Sequence, residues 1–123
     1  MKIVIVDDSK MLRQRIIEML SDIPAAEIAG EAENANEAIK IIEVVKPDIL
    51  ILDIRMPGGG GIEVLNKINK KSLPIKIIVF TNYPYPQYKK KCFELGADYF
   101  FDKSTEFEKV KEVICNLINK SEG

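Results

Sequence analysis

Five polar residues stand just beyond short apolar runs of the chain, and their side chains are of the kinds that bind cations and phosphate groups. Asp7 and Asp8 follow the first run, and Asp53 follows the third. Thr81 follows the fourth run and Lys103 lies just beyond the fifth. Carboxylates are ligands of hard divalent cations, whereas hydroxyl and ammonium groups donate hydrogen bonds to anionic oxygens. These residues therefore indicate cation and phosphate chemistry, provided that the fold brings them together.

Convergence of the three aspartates would itself require a cation. Two carboxylates about 4 Å apart repel each other by about 4 kcal/mol at an effective dielectric constant of about 20. Magnesium offsets such repulsion, because it prefers a few carboxylates together with water and phosphate oxygens. Lys103 adds a positive charge that can contact a carboxylate in one state and a phosphoryl oxygen in another. We therefore expect a Mg2+ site at Asp7, Asp8 and Asp53.

The hydrophobic pattern predicts five strands that alternate with five helices. Several of the strands are continuous apolar runs, as expected in a parallel sheet that is covered on both faces. The helical pattern is weakest in the fourth helix, at about residues 87–95, because three consecutive lysines lie at its centre. The predicted strands are residues 3–6, 27–31, 49–52, 75–80 and 98–101.

Three local signals predict where helices begin and end. Asn34 followed by Glu37 resembles a capping box, in which the first side chain accepts from a free helix amide and the second reaches back. Thr105 and Glu108 repeat this spacing before the last helix. Gly96 stands where a left-handed residue would close the fourth helix.

The order of the elements predicts the architecture and the place of the site. Five βα units without an internal repeat favour an open, doubly wound parallel α/β sheet. Ligands of such sheets bind beyond the carboxyl ends of the strands, which is where the five polar residues lie. The chain has 123 residues, of which 46% are hydrophobic, so we expect residues 1–123 to form a single domain with enough apolar surface for a continuous core.

Composition argues against several classes of protein. The 18 basic and 19 acidic residues nearly cancel, so no strong field favours direct binding to nucleic acid or to a membrane surface. The absence of histidine excludes imidazole-based triads, imidazole metal sites and a phosphohistidine donor. After Met1 and Lys2, only four apolar residues precede Asp7, which is too few for a signal peptide or a membrane span, so we expect a cytoplasmic location.

The motifs taken together resemble the receiver domains of two-component response regulators. The resemblance is carried by the pair Asp7 and Asp8, the motif Leu-Asp-Ile-Arg-Met-Pro at residues 52–57, the Phe-Thr pair that ends in Thr81, and Lys103. Their order and spacing match over the whole chain, and the combination is far more specific than any one motif. The resemblance implies a flavodoxin-like, doubly wound, five-stranded parallel sheet with strand order 2-1-3-4-5 and five helices.

The same resemblance implies a role for each residue. Asp53 would accept a phosphoryl group from a sensor histidine kinase or a phosphotransfer protein, so the chain would be a signalling phosphoprotein rather than an enzyme. Thr81 and Lys103 would donate hydrogen bonds to the phosphoryl oxygens. Magnesium would be bound directly by Asp8 and Asp53, through water by Asp7, and by the backbone carbonyl of Arg55.

The resemblance further implies a switch that reaches a partner surface. Phe100 falls at the family's aromatic switch position, three residues before Lys103. Phosphorylation would act through Thr81 and Lys103 on the face made by the fourth helix, the fifth strand and the fifth helix, where a partner docks. Asn82 stands where the family more often has a very small residue. The larger side chain would narrow the access of water or a phosphatase to Asp53. The Tyr-Pro-Tyr-Pro loop at residues 83–86 would either restrict the switch or contribute to the partner surface.

Other functions are compatible with parts of the pattern. The chain could be the receiver piece of a longer DNA-binding transcriptional regulator. An aspartate-nucleophile phosphatase would need a second acid two residues after Asp53, where Arg55 stands. A flavodoxin-type cofactor binder would need a phosphate-cradling first loop, which Asp7 and Asp8 would repel. The glycine run at residues 58–61 lacks the Lys-Ser or Lys-Thr that follows it in a nucleotide-binding P-loop.

Overall fold

A computed structural model describes residues 1–56 and 60–122, in which five parallel strands alternate with five helices. The sheet has the order β2-β1-β3-β4-β5, so the predicted doubly wound α/β architecture is confirmed. Pro57, Gly58 and Gly59, which end the recognised motif and begin the glycine run, lie outside the described residues together with Gly123. The elements are β1 (Lys2–Val6), α1 (Lys10–Leu20), β2 (Glu27–Ala32), α2 (Ala35–Val45), β3 (Ile49–Leu52), α3 (Gly61–Lys71), β4 (Lys76–Thr81), α4 (Pro86–Glu94), β5 (Tyr99–Asp102) and α5 (Phe107–Glu122).

Each face of the sheet is covered by its own hydrophobic core. Alternate residues of a strand point to opposite faces, so Val4 and Val6 enter the core shared with α2 and α3. Ile3 and Ile5 enter the core shared with α1 and α5. All four residues of β3 are buried because both of their faces are covered. This explains why the inner strands are continuous apolar runs rather than alternating ones.

Two strands begin and end one residue later than predicted. Thr81 pairs with Asp102 as the last residue of the β4–β5 ladder. The backbone N–H of Lys103 then donates to the carbonyl of Thr81 at 2.9 Å, which extends the parallel pattern beyond the strands. Pairing with the neighbouring strand decides where a strand ends. Polar residues such as Thr81 and Asp102 can therefore still belong to the strands.

The predicted N-cap of α2 and the predicted left-handed glycine after α4 are both present. Asn34 accepts a hydrogen bond from the backbone N–H of Glu37 at 2.9 Å, and the carboxylate of Glu37 accepts from the N–H of Glu33 at 3.1 Å. The second bond of the capping box therefore comes from Glu33, the residue before the N-cap, and not from Asn34 itself. Gly96 has a φ of +97°, and the N–H of the next residue bonds back to Cys92 of α4. This positive φ is the reason that glycine closes the helix.

The second predicted capping box, at Thr105 and Glu108, is wrong. Helix α5 begins at Phe107, and it is Glu106 that reaches back, accepting from the backbone N–H of Asp102 at 3.1 Å. The turn after β5 is folded by hydrogen bonds to Asp102 itself, and these shift the start of the helix. No helix in the described part of the chain is both long enough and apolar enough to cross a membrane.

Candidate functional site

The carboxyl ends of the three central strands and β5 bring the predicted polar residues to one edge of the sheet. Asp53 follows β3, and its backbone N–H donates to the carbonyl of Val6 at the end of β1 at 2.9 Å. Asp7 follows β1, and its N–H donates to the carbonyl of Ala32 at the end of β2 at 3.0 Å. Each aspartate is thus fixed by its own strand and by the neighbouring strand.

The three aspartates converge as the sequence predicts. Carboxylate oxygens of Asp7, Asp8 and Asp53 all lie within 4.8 Å of one another. Asp7 and Asp53 are buried, and Asp8 is exposed. The ammonium of Lys103 lies 2.5 Å from Asp7 Oδ2 and 3.1 Å from Asp53 Oδ2, and its side chain is only 8% exposed. Counted at their formal charges, the three carboxylates and one ammonium leave two negative charges in this cluster.

Burial raises the pKa of Asp7 above its ordinary value. The cause is loss of hydration, which disfavours the charged form. Hydrogen bonds from Lys103 and from the backbone N–H of Ser9 oppose this rise. Ionised Asp7 therefore benefits from further positive charge. Three carboxylate oxygen ligands and two uncompensated negative charges fit a hard divalent cation such as Mg2+.

The cluster opens into a cleft of about 350 Å³. At its rim the guanidinium of Arg55 lies 4.4 Å from the centre of the Tyr83 ring, in a cation–π arrangement. Asn82 also lines the cleft, as its position after Thr81 implied. The lining residues are Asp7, Asp8, Ser9, Met11, Leu12, Arg15, Asp53, Arg55, Asn82, Tyr83 and Lys103.

Thr81 and Phe100 are both buried, and neither of them lines this cleft. Thr81 is fully buried, and its hydroxyl oxygen accepts from the backbone N–H of Tyr83 at 3.0 Å. Phe100 is 8% exposed and belongs to the core that includes Cys92 and Ala97. The aromatic ring at the predicted switch position is therefore already inside the protein in this structure.

Sequence reasoning missed Arg13, a buried charged residue of α1. Its Nη1 donates to the backbone carbonyl of Asp7 at 2.5 Å, and its Nε donates to Glu31 at 2.9 Å. The signal was present in the pattern, since Arg13 shares the buried face of α1 with Ile16 and Leu20 at helical spacing. A charge on an apolar helix face requires a buried partner.

The close approach of α3 to Asp53 was also missed. A Cβ on Gly61 would lie 2.3 Å from the carbonyl oxygen of Asp53, and the N–H of Gly61 donates to the carbonyl of Ile54 at 3.0 Å. Only a residue without a side chain allows this contact. Gly61, at the end of the glycine run and the start of α3, is therefore required for the close contact with the Asp53 carbonyl.

Comparison with known proteins assigns the family. Residues 3–115 match the response regulator receiver domain family. This chain belongs to that family. The receiver domain is 35% identical over 106 residues to the nitrate/nitrite response regulator NarL of Escherichia coli, a match that covers 86% of this chain and 49% of that protein. It is 29% identical over 113 residues to the response regulator GacA of Pseudomonas aeruginosa, covering 92% and 53% respectively.

Solved structures agree with this assignment. A DNA-binding response regulator of the LuxR family from Staphylococcus aureus superposes with a TM-score of 0.86 at 36% identity, over 94% of this chain and 96% of that one. The response regulator domain of Thermotoga maritima CheB gives a TM-score of 0.83 at 27% identity, over 98% and 94%. The flavodoxin-like receiver fold is therefore confirmed.

The receiver domain spans about half the length of these curated relatives. A protein-glutamate methylesterase/protein-glutamine glutaminase of Clostridium acetobutylicum is 35% identical, and the match covers only 35% of that protein. What these proteins share with the chain is a signalling domain. Family membership favours this assignment over an aspartate-nucleophile phosphatase and over a flavodoxin-type cofactor binder.

Proposed function

We propose that this receiver domain, residues 1–123, accepts a phosphoryl group on Asp53 from a phosphohistidine of a sensor histidine kinase or a phosphotransfer protein. The observation that supports the proposal is the setting of Asp53, a 5% exposed carboxylate at the floor of an open cleft with Lys103 in contact. Contact with the ammonium holds this carboxylate in place, and the cleft leaves it reachable by a donor group. These are the properties of an oxygen nucleophile.

In the proposed reaction an oxygen of Asp53 attacks the phosphorus of the donor. The phosphorus–nitrogen bond to the imidazole breaks, its electron pair stays on the imidazole nitrogen, and an acyl phosphate forms. Lys103 exchanges its contact with the carboxylate for one with a phosphoryl oxygen. Thr81 is buried and does not line the cleft, so it would have to move towards Asp53 to donate its hydroxyl hydrogen to a second phosphoryl oxygen. That hydrogen has no acceptor among the described residues, since the hydroxyl oxygen only accepts, from the N–H of Tyr83.

The residues that would hold Mg2+ are Asp7, Asp8 and Asp53, with the backbone carbonyl of Arg55 as a further ligand. A bound Mg2+ supplies positive charge that reduces the repulsion between the attacking carboxylate and the phosphoryl oxygens. Lys103 alone cannot supply that charge, because it is already shared between Asp7 and Asp53.

We propose that the output is a change in partner binding at the face of α4, β5 and α5. A phosphoryl group on Asp53 gives Thr81 and Lys103 a new acceptor, and both are joined through their backbones at the ends of β4 and β5. The partner is a protein, because the balanced charge of the domain favours neither nucleic acid nor a membrane. The expected location is the cytoplasm.

A second candidate is that the domain is the receiver part of a longer DNA-binding transcriptional regulator. It is favoured by the relatives, since the chain covers 49% of NarL and resembles a regulator from Staphylococcus aureus described as DNA-binding. In that case the partner would be an output domain of the same polypeptide. Phosphorylation of Asp53 would be the same in both cases.

The test is incubation with acetyl phosphate and Mg2+, followed by intact-mass measurement. The wild-type protein is expected to gain one phosphoryl group and Asp53→Asn none. Asp22→Asn, which alters an exposed carboxylate outside the cleft, is the matched control and should be modified like the wild type. Equal modification of Asp53→Asn would contradict the assignment of the phosphoacceptor.

The metal ligands are tested separately by calorimetric titration with Mg2+. Asp8→Ala is expected to lose most of the Mg2+ affinity, because a properly placed carboxylate has few substitutes as a ligand. Asp48→Ala removes an exposed carboxylate at the opposite end of the sheet and should leave the affinity unchanged. Unchanged Mg2+ binding by Asp8→Ala would remove that residue from the site.

A further inference from the structure

Arg13 connects the metal cluster to the edge strand of the sheet. Its side chain is 10% exposed, and its guanidinium spans two acceptors on different strands. One is the backbone carbonyl of Asp7, just after β1, and the other is the carboxylate of Glu31 near the end of β2. Arg13 itself sits on the first turn of α1, whose N-cap is Ser9. One side chain therefore joins three elements beside the cleft.

The carbonyl that Arg13 holds belongs to the peptide between Asp7 and Asp8. The orientation of this peptide determines the direction in which the Asp8 side chain leaves the backbone. Asp7 has further restraints of its own, because its carboxylate contacts Lys103 and the N–H of Ser9. Asp8 is exposed, and among the described residues its carboxylate has no hydrogen-bond donor. Its position relative to the other two carboxylates thus depends on the backbone.

The shape of the guanidinium matters more than its charge. Arginine presents several N–H groups in a fixed plane, so Nη1 and Nε can serve two acceptors at once. Lysine would bring the same charge as a single point at the end of a flexible chain. It could replace one of the two bonds but would not hold the Asp7 carbonyl and Glu31 together.

We propose that Arg13 is a positioning residue for the Mg2+ site, which holds the Asp7–Asp8 peptide so that the carboxylate of Asp8 faces those of Asp7 and Asp53. Glu31 positions Arg13 in turn. This inference rests on the proposed function, because it assumes that the three aspartates bind Mg2+. Groups that orient metal ligands typically change metal affinity by about 10- to 100-fold when they are removed.

A purely structural role gives a different result. If Arg13 only ties α1 to the sheet, its removal lowers the unfolding temperature and leaves the Mg2+ affinity of the folded protein unchanged. If it positions Asp8, the Mg2+ dissociation constant rises even under conditions where the variant is fully folded. Calorimetric titration with Mg2+ and thermal unfolding in the presence of a chelator separate these two quantities.

The experiment compares Arg13→Gln, Arg13→Lys and Glu31→Ala in the full chain. We expect Arg13→Gln to bind Mg2+ about tenfold or more weakly, and Arg13→Lys to remain weakened because it cannot make both bonds. Glu31→Ala should weaken binding less, since the bond to the Asp7 carbonyl remains. Ile16→Val, on the same buried face of α1, is the control that lowers stability without touching the end of β1.

Three outcomes would overturn the role of Arg13. These are wild-type affinity in Arg13→Gln, full recovery in Arg13→Lys, and an equal loss of affinity in Ile16→Val. If Arg13→Gln does not fold, Glu31→Ala carries the test, and unchanged affinity there contradicts the proposal. Wild-type protein that binds no Mg2+ would refute the metal site as well, whereas wild-type binding and acetyl phosphate modification with no effect of Arg13 would refute this inference alone.

Discussion

At the scale of single residues, the decisive contact is that of Lys103 with two buried carboxylates. Its ammonium is the cation that contacts both Asp7 and Asp53 in the described part of the structure. Breaking a buried ion pair from one side leaves the other side uncompensated, which is far more costly than the loss of a surface pair. Lys103 therefore affects stability as well as the proposed phosphoryl transfer.

Lys103→Met is expected to lower the free energy of unfolding of the metal-free protein by about 3 kcal/mol. Methionine fills similar space but leaves Asp7 and Asp53 without their counterion. Mg2+ should then raise the unfolding temperature of this variant more than that of the wild type, because the added cation replaces the missing charge. Thermal unfolding with and without Mg2+ measures both effects.

Lys111→Met is the matched control for this prediction. Its ammonium pairs with Asp22 at 2.9 Å on the surface, where solvent screening leaves ion pairs little effect on stability. The control should unfold close to the wild type and respond to Mg2+ in the same way. Equal responses of Lys103→Met and Lys111→Met to Mg2+ would contradict the role of Lys103 as the counterion of the cluster.

At the scale of elements, the junction of β3 and α3 fixes the backbone of Asp53, the proposed phosphoacceptor. Helix α3 begins at Gly61, directly against the carbonyl of Asp53. The contact is between backbone atoms, so neither partner can move aside as a side chain would. The first turn of α3 therefore limits the movement of Asp53 and fixes its position relative to Asp7 and Lys103.

Gly61→Ala is expected to displace Asp53, because the new methyl group would lie 2.3 Å from its carbonyl oxygen. Overpacking of this kind costs about 1–3 kcal/mol of stability. Displacement of a reacting group by about 1 Å can slow a reaction about 100-fold, so modification by acetyl phosphate should slow by at least about tenfold. The rate is followed by intact mass over time.

Gly96→Ala is the control that separates displacement of Asp53 from a loss of protein stability alone. Gly96 closes α4 with a φ of +97°, which costs an alanine about 1 kcal/mol or more, but it lies outside the cleft. This control should lose stability and keep its rate of modification. If both glycine variants were modified at the wild-type rate, the close contact at Gly61 would be irrelevant to the site.

At the scale of the whole molecule, the strand order connects the site to the proposed output face. β1 and β3 carry the carboxylates at the centre of the sheet, and β4 and β5 carry Thr81 and Lys103 towards one edge. Phe100 of β5 is buried in the core that contains Cys92 of α4. A shift at Thr81 or Lys103 would therefore have a route to α4 through the core that β5 and α4 share.

Beryllofluoride, a mimic of the phosphoryl group, is expected to change backbone NMR shifts beyond the residues that touch Asp53. Because coupling free energies of this kind are about 1–3 kcal/mol, the change should be a shift in population that extends to Phe100 and α4. Asp53→Asn with beryllofluoride is the control and should show no change. Shift changes confined to the cleft of the wild type would show that this switch is absent.

The sequence by itself determined the architecture and most of the candidate site. Continuous apolar runs predicted a covered parallel sheet, and polar residues after Val6 and Leu52 predicted which side chains would converge at its edge. These inferences succeed because strand burial and helical spacing are local properties of the chain. The convergence of Asp7, Asp8 and Asp53 then follows from the direction of parallel strands.

Only the tertiary structure decided which groups contact one another. Lys103 contacts Asp7, 96 residues away, as well as Asp53, and Arg13 bonds to the peptide after Asp7 as well as to Glu31. It also decided that Thr81 is fully buried and that Gly61 abuts the backbone carbonyl of Asp53. Contacts between distant residues depend on strand order, register and side-chain packing, and no local pattern specifies these.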